Sequence, residues 1–149
     1  MSLVLSKKKR YKLNYVKFKK AIKYCMDFFG VGDLELSLLL TDNEEIRGLN
    51  REFRKKDCPT DVLSFEGNFN LGILGDIVIS VEKAKEDFFS NSYGEIVPEV
   101  AKRSFENYLL WLVVHGILHN LGLDHDNEIS EKEMRSKEKD CLEKVSQYL

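Results

Sequence analysis

From Leu109 to Leu118 the chain reads Leu-Leu-Trp-Leu-Val-Val-His-Gly-Ile-Leu, and wound into a helix this segment is apolar on every side. A helix without a polar face must be enclosed by other elements, so the rest of the chain has to supply strands and helices around it. The longest uninterrupted apolar run, Leu109 to Val114, is far too short to cross a bilayer, which requires about 20 apolar residues. At 149 residues, 43% hydrophobic and 32% charged, with 9 Gly and 2 Pro, the chain has the composition of a packed globular protein. It is too apolar, and too poor in Pro and Gly, for a disordered or collagen-like chain, and one domain over residues 1–149 is expected.

The flanking segments can supply that enclosure. Leu3 to Leu5 suits a short first strand. Asn14 has the chemistry of an N-cap, and Val16, Ala21, Ile22, Cys25, Phe28 and Phe29 recur near helical spacing until Gly30, a residue suited to end the helix. Leu34 to Leu40 is short and nearly all apolar, which predicts a strand buried on both faces. Thr41-Asp42-Asn43-Glu44 has capping-box spacing ahead of a short amphipathic helix marked by Ile46, Leu49 and Phe53. Lys55 to Pro59 reads as a loop. Val62 to Phe65 and Ile73 to Ile79 read as strands, separated by a loop containing Gly67, Asn68, Asn70 and Gly72. A helix follows Ser80, a longer one runs from about Pro98 to Leu121, and Ser130-Glu131-Lys132-Glu133 is a second capping box opening a polar C-terminal helix. The alternation predicts an α/β (α+β) fold, a small mixed sheet of about four strands packed with helices around the apolar one.

Three cysteines, Cys25, Cys58 and Cys141, are widely spaced and form no CxxC, so neither a disulfide framework nor a cysteine zinc site is indicated, and a reducing cytoplasm is the simplest setting. The N-terminus places an apolar stretch before Lys7 to Arg10, the reverse of a signal peptide. The formal net charge of −2 hides an uneven distribution: residues 1–26 carry nine basic residues and no acid. A second basic cluster, Arg47, Arg51, Arg54, Lys55 and Lys56, precedes the predicted strand at Val62. The N-terminal run is either a solvated helix face or a surface that attracts phosphates.

All three histidines of the chain fall between Leu109 and Asp126, as His115, His119 and His125. On a helix, His115 and His119 lie one turn apart on one face, near enough for two imidazoles to share a cation. Gly122 can take the left-handed conformation that ends a helix, letting the chain turn back and bring His125 to the same point. Three neutral imidazoles suit Zn²⁺ and leave a fourth position for water, whose pKa such an ion lowers to about 7. Asp124 fits either a carboxylate orienting one of these imidazoles or a turn residue. Metzincin peptidases carry HExxHxxGxxH, with the Glu as general base; here Gly116 occupies that position. A site without that base is poorly equipped to cut amides, whereas phosphodiester cleavage depends more on metal and cationic stabilisation of the phosphoryl group.

Together with Leu49-Asn50-Arg51-Glu52-Phe53-Arg54-Lys55-Lys56-Asp57-Cys58-Pro59-Thr60-Asp61-Val62-Leu63-Ser64-Phe65 and Leu74-Gly75-Asp76-Ile77-Val78-Ile79, the HGxLHxxGxDH segment resembles the YbeY family of bacterial rRNA-maturation endoribonucleases. The three blocks stand in the family's order and span about half the chain. The resemblance implies a zincin-like domain whose central helix carries HxxxH and one Zn²⁺ per chain held by His115, His119 and His125. It also implies single-strand-specific endoribonuclease activity, processing of the 16S rRNA 3′ end and ribosome quality control. The implied partners are single-stranded RNA, precursor rRNA and the small ribosomal subunit, in the cytoplasm and away from membranes.

The family's functional arginine falls on Arg54, whose guanidinium can clamp a phosphate bidentately; without the motif, a solvated arginine at a helix end is the simpler reading. On this reading Arg54, His115 and His119 are the catalytic residues and Arg54 and Lys56 bind the substrate. Lys56 is either a phosphate contact or an ordinary loop cation. Asn120 stands where the family more often has leucine, and Cys58 where it usually has a basic or polar residue. Two other functions fit parts of the pattern, a metallopeptidase, weakened by Gly116, and a non-catalytic ribosome assembly factor with structural zinc.

Overall fold

The computed structural model describes residues 3–92, 96–123 and 127–149. Four strands, β1 (Leu3–Lys7), β2 (Glu35–Thr41), β3 (Val62–Glu66) and β4 (Ile73–Ser80), form one sheet in the order β1-β2-β4-β3. β1, β2 and β4 run parallel, while β3 pairs antiparallel with β4, with Leu63 opposite Val78 and Phe65 opposite Asp76. The expected mixed sheet therefore comes from two parallel crossovers and one hairpin. The helices are α1 (Tyr15–Phe28), α2 (Asn43–Arg54), α3 (Val81–Phe89), α4 (Phe105–Asn120) and α5 (Glu128–Val145). Among the described residues, no helix is long and apolar enough to cross a membrane.

Strand alternation divides the packing between the two faces of the sheet. Leu36, Leu38, Leu40, Ile77 and Ile79 join the main core with residues of α1, α3, α4 and α5. On the opposite face, Ile46 of α2 packs with Leu63 and Val78, flanked by Leu39, Leu49 and Phe65. β2 is thus not buried on both faces as predicted, because α2 covers only part of the second face and leaves Ser37 and Leu39 half-buried. α4 lies within the main core with twelve of its sixteen residues buried, and from Asn107 to Asn120 only His115 and His119 are not.

Several termini follow local chemistry. The Asn14 side chain accepts from the Lys17 amide and starts α1, and Gly30 adopts φ +72° beyond its end. Two predicted starts move by a few residues. Asp42, not Thr41, caps α2 by accepting from the Glu45 amide, while the Thr41 hydroxyl donates to the Glu45 carboxylate. Asn127 caps α5 through the Ser130 amide, so Ser130 lies inside the first turn rather than before it. The predicted helix from Pro98 to Leu121 is broken: a 3₁₀ turn spans Glu99–Lys102, and Ser104, accepting from the Asn107 amide, begins α4 anew. A serine that can cap the next turn competes with continuation of a helix.

Gly116 sets how closely α4 approaches the sheet. A Cβ there would lie 2.8 Å from Cδ1 and 3.0 Å from Cγ1 of Ile77 on β4. The position that holds glutamate in metzincins is therefore occupied here by helix-to-sheet contact, and the missing base is also a packing requirement. Gly116→Ala gains about 1 kcal/mol of helix propensity but overpacks the contact by about 1–3 kcal/mol. The expected net result is a lower denaturant midpoint, partly restored by Ile77→Val, which removes Cδ1; an unchanged or raised midpoint would contradict this account of α4 seating.

Candidate metal centre

The two histidines of α4 are brought together as their spacing predicts. Nε2 of His115 and Nε2 of His119 lie 3.1 Å apart, with ring centroids separated by 4.6 Å and planes at 76°. That separation is less than twice a Zn–N bond of about 2.0–2.1 Å, so one ion can bond both nitrogens. The donor set also fits: two imidazoles at the open end of an otherwise buried helix could supply two of the four ligands of a tetrahedral metal ion. Immediately after them, Gly122 takes φ +92°. The Gly122 amide donates to the His119 carbonyl at 2.9 Å and the Leu123 amide to the Leu118 carbonyl at 3.0 Å. These paired bonds are the Schellman arrangement that ends a helix and turns the chain. The predicted third ligand, His125, and the neighbouring Asp124 lie outside the described residues. Among the described residues, no group of three or more His, Cys, Asp or Glu side chains forms a metal site.

The other nitrogen of His115 meets a residue that sequence reasoning missed. Nδ1 lies 3.2 Å from Oε2 of Glu138, on α5, and the Trp111 indole N–H donates to the same carboxylate, with Nε1 3.2 Å from each oxygen. Glu138 is 3% exposed. Its signal in the sequence is a charge set in the apolar stripe of a helix, with Met134 four residues before it and Cys141, Leu142 and Val145 after it, all buried. An acid at such a position needs a partner inside the protein.

A cleft of about 660 Å³ opens beside the histidines, lined by Arg54, Lys56, Cys58, Asp61, Ser64, His115 and His119 among others. The structure thus brings together Arg54, Lys56, His115 and His119. Arg54 ends α2, where its guanidinium Nη2 donates to the Ser64 carbonyl at 2.8 Å and its charge lies 6.0 Å from the Phe65 ring centre. One bond anchors the guanidinium, and its remaining donors suit an anion in the cleft. The second basic cluster divides at this point: Arg47 and Arg51 turn instead to Asp57, at 2.7 and 3.5 Å. The hydrogen bond from Arg47 holds the Asp57 carboxyl below its ordinary range. None of the basic residues of the N-terminal run lines this cleft, which borders β3, the sheet edge opposite β1.

Asp61 also lines the cleft, accepting from the Val62 amide at 2.8 Å. Burial raises its pKa above the ordinary 3.8, against the opposing effect of the Val62 hydrogen bond. An acid whose pKa is raised on folding destabilises the fold as pH rises past the unfolded value, with the full penalty above the folded value. Asp61→Asn keeps the acceptor and removes the charge. Thermal unfolding of the metal-free protein should show the variant gaining in Tm over the parent at about pH 7 but not at about pH 3; an equal difference at both pH values would remove charge burial as the cause.

Comparison with known proteins places this chain in a family. The sequence profile described as Endoribonuclease YbeY matches residues 4–146. Endoribonuclease YbeY of Acetivibrio thermocellus is 42% identical, the match covering 86% of this chain and 84% of that protein. Endoribonuclease YbeY of Aquifex aeolicus is 40% identical, covering 98% and 93%. The solution structure of TM1509 from Thermotoga maritima superposes with a TM-score of 0.66 at 26% identity, over 97% of this chain and 89% of that one. With its profile match running nearly from end to end and two relatives at this level of identity, the chain belongs to the YbeY family of endoribonucleases.

Proposed function

We propose that residues 1–149 act as one zinc-dependent domain that cleaves single-stranded RNA, maturing the 3′ end of 16S rRNA and serving ribosome quality control in the cytoplasm. Precursor rRNA and the small ribosomal subunit are its partners on this reading. The observation that carries it is the convergence of the two α4 imidazoles on one point, in the same cleft as the Arg54 guanidinium. His115 and His119 hold one Zn²⁺ per chain, with His125 as the third ligand. The ion supplies Lewis acidity toward water or a phosphoryl oxygen.

The remaining steps belong to the chain's own groups. Arg54, tethered through the Ser64 carbonyl, presents its other N–H donors to the scissile phosphate and neutralises charge as it develops. Lys56, on the same wall, adds a point charge that holds the neighbouring phosphate. Gly116 offers no proton carrier, which favours phosphodiester over amide cleavage, because an amine leaving group requires protonation.

Arg54→Glu reverses the clamp without touching an imidazole. Zinc content and circular dichroism should be unchanged while turnover of single-stranded RNA falls by about 10²-fold or more, the scale of losing one stabilising donor. Unchanged turnover would overturn the clamp role. His115→Ala with His119→Ala should abolish both zinc binding and cleavage in protein that remains folded; unfolding of that variant would favour structural zinc. The product ends identify the nucleophile: a 3′-hydroxyl with a 5′-phosphate marks water, and a 2′,3′-cyclic phosphate marks the RNA 2′-hydroxyl.

A further inference from the structure

We infer that Glu138 is a positioning residue for His115, and that through it the grip on the metal is tied to the docking of α5 against α4. The inference rests on the metal-holding role proposed above for His115 and His119.

The carboxylate is almost fully buried, yet among the described residues no lysine or arginine lies within ion-pair distance, and its one such contact is His115. A buried acid without a compensating charge is strongly unfavourable, and an apolar side chain of similar volume would pack there at less cost. Two donors nevertheless converge on it. Oε2 is 3.2 Å from both Trp111 Nε1 and His115 Nδ1, side chains one helical turn apart on α4. The Trp111 and His115 rings lie 5.7 Å apart, so the indole forms the wall against which the imidazole rests. With Nδ1 donating to Glu138, the lone pair of His115 is on Nε2, the atom that faces Nε2 of His119. A carboxylate on the far nitrogen fixes the ring's tautomer and orientation and strengthens its bond to a cation. Glu138 is three turns along α5, so this contact forms only when α5 is seated on α4.

The test compares zinc affinity of the full chain and of Glu138→Gln by competition with a chromophoric chelator. The amide keeps the shape but carries no charge, and in either orientation its NH₂ faces a donor, Trp111 Nε1 or His115 Nδ1. Affinity should fall about 10–100-fold, the range for loss of such a partner, with far-ultraviolet circular dichroism retained. The visible bands of the cobalt-substituted protein should shift. Glu138→Asp, which keeps the charge and shortens the reach, should weaken binding in the same direction and provides the measurement if the glutamine variant does not fold. A merely structural Glu138 would lower Tm equally with and without zinc, whereas positioning narrows the gap between the two. Zinc affinity within twofold of the parent in both variants, with an unchanged gap in Tm, overturns the inference while leaving the metal reading intact. A parent protein that binds no zinc overturns both.

Discussion

The near-complete enclosure of α4 gives its two histidines their meaning. A helix buried around its circumference cannot rotate or slide without disturbing the sheet on one side and α1, α3 and α5 on the others. Gly116 lets it approach β4 so closely that a methyl group would not fit without movement of Ile77. Two side chains one turn apart on so constrained a scaffold keep a fixed separation, and a site that must hold an ion within tenths of an ångström benefits from that rigidity. The same enclosure explains why His115 and His119 alone, along Asn107–Asn120, retain exposure: the helix opens to the cleft only at its last two turns.

Around this scaffold the other groups arrive from separate parts of the sequence. α2, on the opposite face of the sheet from the main core, ends at Arg54 and delivers the guanidinium to the cleft; β3 follows and supplies the Ser64 carbonyl that anchors it. α5 delivers Glu138 to the back of His115. The near-neutral net charge is therefore a poor guide to the cleft. Its cationic wall is built from Arg54 and Lys56 alone among the basic segments, while Arg47 and Arg51 are engaged with Asp57 and none of the N-terminal basic residues lines the cleft.

Much of this was legible before the structure, for physical reasons. Asn14 and Gly30 mark α1 because a cap and a left-handed glycine act locally, and Gly122 announces the turn after His119 in the same way. The i, i+4 spacing of His115 and His119 needs only helical geometry. Features that depend on partners distant in sequence were harder to see. Whether the second face of β2 is buried is decided by how far α2 reaches, not by β2 itself. The break at Ser104 reflects a serine that caps as readily as it continues a helix, and Ser130 has the chemistry of a cap but lies inside the turn that Asn127 caps. Glu138 does not stand out among the acids of a polar helix; its place in the apolar stripe of α5 distinguishes it only once that stripe is known to face α4.

The central claim is that one ion sits where the two α4 imidazoles converge. Anomalous diffraction from crystals of the zinc-loaded protein, collected on both sides of the zinc absorption edge, tests this directly. The account predicts a single strong peak at bonding distance, about 2.0–2.1 Å, from Nε2 of both His115 and His119. A peak elsewhere, or none at that point in zinc-replete crystals, would contradict it.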